Sequence, residues 1–176
     1  MKYSVQDVIV GFFKTALLLV GLEIFTSAVL PAIGIVDFKP AFNVLIILFL
    51  AFKLEVPFLP FLILSFQYIH SVFSIEGWAS GTIAGILIAI SVRHVKDMLN
   101  FSTAISTIIV VQVFQIAWFV LIAILLSIKL GDFSHFISIF LKYLPESIFL
   151  SLISHHFFLL MDNFWKVNRK SSSMAY

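Results

Sequence analysis

Long apolar runs alternate with short polar breaks along the whole chain. The first run, 8–30, carries only Lys14 and Glu23 as charges and ends at Pro31, Gly34, Asp37 and Pro40. Pro40 stands where a new helix can begin. The stretch 41–52 is apolar but has 12 residues, about 18 Å of helix at 1.5 Å per residue. It reads as a short span, a re-entrant piece, or a span lengthened through Glu55. Lys53, Glu55, Pro57 and Pro60 mark the next break. Runs at 58–75 and 77–92 predict third and fourth spans, and Arg93, His94, Lys96, Asp97 and Asn100 form a polar loop. The run 103–128 is long enough to tilt in a bilayer.

After Gly131 and Asp132 the period changes. Phe133, Phe136, Ile137, Phe140, Leu141 and Leu144 recur at helical spacing, with Ser134, His135, Ser138 and Lys142 mostly opposite. This pattern predicts an amphipathic helix at the membrane interface over 133–144, ended by Pro145. A last span is expected over 148–161.

Composition sets the class. Of the 176 residues 61% are apolar and only 11% charged, where a soluble domain has about a quarter charged. A span needs about 20 residues. The expected fold is therefore an all-α integral membrane protein, a compact bundle of about six transmembrane helices with one interfacial amphipathic helix. One transmembrane domain, 1–165, is expected, followed by a short, basic, disordered cytoplasmic tail, 166–176. The first run is 23 residues long and charged within, unlike a cleaved signal.

A formal charge of +2 without a basic patch argues against nucleic acid as a partner, and zero cysteines excludes disulfides and thiolate chemistry. With six crossings, Lys2, Lys53, Arg93, Lys96, Lys166, Arg169 and Lys170 fall on one side against Lys39, Lys129 and Lys142. Seven against three places both termini in the cytoplasm.

Three sets of residues stand out. Gly77, Gly81, Gly85 and Ala89 recur every fourth position, a small-residue face that lets another backbone approach closely, either within the bundle or on a partner. Gln112 and Gln115 lie three apart inside the fifth span with Trp118 nearby; they read as an interhelix hydrogen-bond pair or as the wall of a polar pocket. Glu23 is an intramembrane carboxylate, held by a bond inside the bundle or engaged in function. His155 and His156 point about 100° apart on a helix and cannot chelate one metal together. No catalytic, metal or cofactor site is expected, because no nucleophile, base and orienting group converge. Trp165 reads as an interface anchor.

Phe38-Lys39-Pro40 opens the short second segment, and Ser74-Ile75-Glu76-Gly77 closes the third span. A glycine-rich fourth span, a basic loop at 93–96, a long fifth span and Tyr143-Leu144-Pro145 before the closing helix follow. In this order, from about residue 38 to 165, the chain resembles the rod-shape-determining protein MreD family. Its members carry glycines and an acid late in the third span, where this chain has Ser65-Phe66-Gln67-Tyr68-Ile69-His70-Ser71. The resemblance implies a non-enzymatic scaffold in the bacterial inner membrane. Such a scaffold binds an MreC-like protein and links the MreB filament to the peptidoglycan synthases of wall elongation. In length and span count the chain also resembles the substrate-binding membrane subunits of energy-coupling-factor vitamin transporters.

Overall fold

The computed structural model describes residues 5–36, 38–54, 57–74, 77–96, 103–134 and 136–165. Among them the structure is entirely helical. Helix α1 runs Val5–Ile24 and continues through a π-helical turn, Phe25–Val29, into a last turn, Leu30–Ala32. It is followed by α2, Phe42–Lys53, α3, Leu59–Ser71, α4, Trp78–Val95, α5, Ala104–Leu130, and α6, Phe136–Trp165. Four of these, α1, α4, α5 and α6, are long and apolar enough to cross a membrane. The tail 166–176, with Lys166, Arg169 and Lys170, lies outside the described residues, as do Lys2, Glu55, Glu76, Asp97, Asn100 and His135.

The short helix α2 is the centre of the bundle. Every residue from 41 to 52 is buried, and α2 touches each of the five other helices. A helix apolar on all sides belongs in a core, which explains why 41–52 carries no polar face. The neighbours of α2 set its depth. The Lys39 backbone N–H donates to Glu146 Oε1 at 3.2 Å, and Lys53 Nζ lies 3.7 Å from Asp162 Oδ2. Residues 146 and 162 are about 24 Å apart along α6 at the usual rise. The segment Lys39 to Lys53 therefore runs beside about 24 Å of α6.

Contacts between the helices fix their directions. Asn43 meets Gln67, so α2 and α3 are antiparallel; Glu23 meets His70 near the end of α3, so α1 and α3 are parallel. Gln67 lies at Gly81 and Ile63 at Gly85, which reverses α4 against α3. Phe119 stacks on Tyr143 while Gln112 reaches Ser147, setting α5 and α6 antiparallel. The chain alternates direction at every helix. Lys39, Lys129 and Lys142 thus share one end, and Lys53, Arg93 and Lys96 the other.

Local signals delimit several helices. Thr103 caps α5, its side chain accepting from the Ser106 N–H, and Gly131 ends it in the left-handed region at φ 69°. Pro60 sits in the first turn of α3, where a missing N–H costs nothing.

The expected boundary at Pro145 is corrected. No separate interfacial helix ends there, because α6 runs unbroken from Phe136 to Trp165 with Pro145 inside it. An interior proline removes one helix bond and costs about 3 kcal/mol. Here the flanking turns are held from outside: Glu146 accepts from the Lys39 backbone N–H, Ser147 Oγ accepts from Gln112 Nε2 at 3.1 Å, and Tyr143 stacks on Phe119. Phe140 and Tyr143 pack against the core while Ile137, Ser138, Leu141 and Lys142 face outward.

Candidate functional site: the polar interior of the bundle

On α1 the buried positions are Val8, Gly11, Thr15, Leu19, Glu23, Thr26 and Leu30. Steps of three and four residues make this one stripe along the helix. The stripe carries Glu23 inward against α3, whose own buried face is Leu62, Ile63, Phe66, Gln67 and His70. Glu23 Oε1 lies 2.6 Å from His70 Nδ1. Glu23 sits just before the π-helical turn, and Thr26 Oγ1 donates back to its carbonyl at 3.1 Å.

One turn along α3, Gln67 Oε1 accepts from Asn43 Nδ2 of the central helix at 3.3 Å. The Gln67 side chain rests on Gly81, where an added Cβ would stand 2.8 Å from Gln67 Cδ. Asn43 Oδ1, Gln67 Nε2 and His70 Nε2 are buried and have no hydrogen-bond partner among the described residues. Four helices therefore meet at one polar patch of Glu23, Asn43, Gln67 and His70, with Gly81 making room for it.

The small-residue face of α4 does two different things. At Gly85 a Cβ would stand 2.7 Å from Ile63 Cγ2 and 3.3 Å from the Trp118 ring, so this glycine permits close packing on α3 and α5. Ala89 is buried on the same side. Gly77 has open space around it and serves the backbone instead, with φ 79° just before α4 starts.

Gln112 and Gln115 both turn to α6. Gln112 Nε2 donates to Ser147 Oγ at 3.1 Å, and Gln115 Oε1 accepts from Ser151 Oγ at 3.3 Å. Trp118 is buried against Gly85. Gln112 and Gln115 thus bond across to α6, Gln115 Nε2 stays buried with no hydrogen-bond partner among the described residues, and Trp118 packs on α4.

Polar contacts also close each end. At one, Lys39 Nζ donates to the Phe73 carbonyl, and the Phe38 and Phe149 rings meet edge to face at 5.3 Å. At the other, beside Lys53 and Asp162, Trp165 Nε1 donates to Thr15 Oγ1 at 3.0 Å. Trp165 is 1% exposed, which corrects its reading as an interface anchor.

Sequence reasoning named Glu23 but not its partner, and passed over Asn43 and Gln67. The available signal was a polar residue inside an otherwise apolar run. Among the described residues no group of three or more His, Cys, Asp or Glu side chains could hold a metal ion. Comparison with protein-family models, curated proteins and solved structures finds no match to this chain.

Proposed function

We propose that this membrane protein is a non-enzymatic scaffold subunit of bacterial wall elongation. In this reading it sits in the inner membrane with both termini cytoplasmic. It binds an MreC-like protein and links the MreB filament to the peptidoglycan synthases. One observation carries the proposal. Three of the segments on which the MreD resemblance rests are far apart in sequence and meet at one end of the bundle. Lys39 of Phe38-Lys39-Pro40 bonds both the Phe73 carbonyl, next to Ser74, and Glu146, next to Tyr143-Leu144-Pro145. Segments that build one structural corner are expected to be kept together in a family, whereas chance similarity in apolar sequence would scatter them.

The bundle's own chemistry agrees with a packing role. The amides of α5 are bonded to α6, and the Gly81 and Gly85 face is filled by neighbouring helices. What remains for partners is the outer surface, rich in Phe13, Leu17, Phe61, Tyr68, Val72 and Trp78. The test is affinity purification of the tagged chain from its native membrane in mild detergent, with identification of the co-purifying proteins. MreC-like and wall-synthase partners are the expected result. Recovery of ATPase and coupling subunits would replace this reading with that of a transporter's substrate-binding subunit.

A further inference from the structure

We propose that Glu23, Asn43, Gln67 and His70 form an internal site that binds one shared proton and ordered water. The proposal is independent of the scaffold reading, because it concerns only the interior of this chain.

The first part rests on Glu23 and His70. They are 2% and 5% exposed, and Oε1 and Nδ1 are 2.6 Å apart, the separation of a strong, charge-assisted hydrogen bond. A bond that short has a proton between its atoms. With a hydrogen on Nε2 as well as the shared one, the pair is neutral overall, whether written as acid and imidazole or as carboxylate and imidazolium. With one proton fewer or one more it carries a net charge inside a low-dielectric bundle, which is costly.

Other ionisable groups of the packed helices are engaged or distant. At the nearer end the Lys39 ammonium donates to the Phe73 carbonyl, and the Lys39 backbone N–H donates to Glu146 Oε1. Tyr68 is exposed, and Asp7 and Lys14 lie toward the opposite end of α1. Lys53 and Asp162 pair at that far end, where Arg93 and His94 of α4 are exposed. His155 and His156 of α6 face each other, ring centroids 5.7 Å apart.

The second part rests on what the pair leaves open. His70 Nε2, Gln67 Nε2 and Asn43 Oδ1 are buried with no protein partner among the described residues. They are joined in space: His70 and Gln67 are one turn apart on α3, and Gln67 bonds Asn43. Flipping both amides exchanges the open atoms but still leaves one donor and one acceptor. A metal cation cannot satisfy a donor, whereas water donates and accepts and is the usual occupant of such sites. The neighbouring π-helical turn is a second mark, since such turns gather at functional positions.

The experiment is solid-state NMR of the full-length protein, 15N-labelled at its five histidines and 13C-labelled at glutamate, in lipid bilayers. A through-space correlation between a glutamate carboxyl and one histidine ring identifies the pair without a variant, and loss of that ring signal in His70→Gln assigns it. The expected ring shows a proton bridging Nδ1 and the glutamate carboxyl. It also receives magnetisation from water at Nε2, and its shift changes in Glu23→Gln. A His70 ring with no correlation to a glutamate carboxyl, or with a shift unchanged in Glu23→Gln, overturns proton sharing. A ring with no transfer from water overturns the hydrated site.

Discussion

Trp165 and Thr15 are joined by an indole N–H to hydroxyl bond of 3.0 Å across 150 positions of sequence. The same indole lies against Gly11, where a Cβ would come within 2.8 Å of the ring. The last helix is thereby locked onto the first at the end where α1 begins. Trp165→Ala is expected to cost about 3–5 kcal/mol through the void it leaves. Trp165→Phe should cost nearer 1 kcal/mol, chiefly the lost hydrogen bond. Thermal midpoints in mild detergent check the order; equal losses would mean that the ring contributes no packing.

Gly81 and Gly21 make a matched pair on two helices. A Cβ at Gly81 collides with Gln67, and one at Gly21 meets nothing within 4 Å. Gly81→Leu should abolish folding or assembly. Gly21→Ala should be neutral or raise stability by up to about 1 kcal/mol from helix propensity. Size-exclusion profiles of the two purified variants decide it, and a monodisperse Gly81→Leu protein would remove the close-packing account of α4.

Lys53 and Asp162 tie the end of α2 to α6, with the carboxylate largely buried and the lysine partly exposed. Lys53→Met leaves Asp162 without its cation, a loss of about 1–3 kcal/mol at this half-screened site. Adding Asp162→Asn should recover at least half of that loss. A double-mutant cycle on thermal midpoints measures the coupling; strictly additive losses would show that the two groups do not interact.

The chain has no cysteine, so single cysteines can report topology against a silent background. With alternating helices and the cytoplasmic termini proposed above, Lys142→Cys should react with an impermeant maleimide added outside intact cells, and Arg93→Cys only after the membrane is opened. Labelling of both from outside would contradict the opposed ends of α4 and α6.

The apolar runs, their prolines and glycines, and the near absence of charge already determined a helical membrane bundle. That conclusion follows from bulk solvation, since a chain with so little charge has no aqueous fold and a bilayer requires its backbone bonds to close within helices. The breaks at Pro40, at Lys53 to Pro60 and at Gly131 were equally readable, because capping and turn chemistry act over a few residues.

Other features depended on partners distant in sequence. A run of 12 apolar residues can be a short span or a re-entrant piece, and only its burial by five helices makes α2 the centre. Pro145 is a stop signal locally, yet contacts to Lys39 and Phe119 carry α6 through it. Glu23 announced itself as a charge in a span, while its partner His70 stands 47 positions away. Periodicity says which face of a helix is inward, and it is silent on which helix that face meets. In this chain the identity of the opposing helix decided which polar groups are bonded, which are left for water, and where glycine has to be.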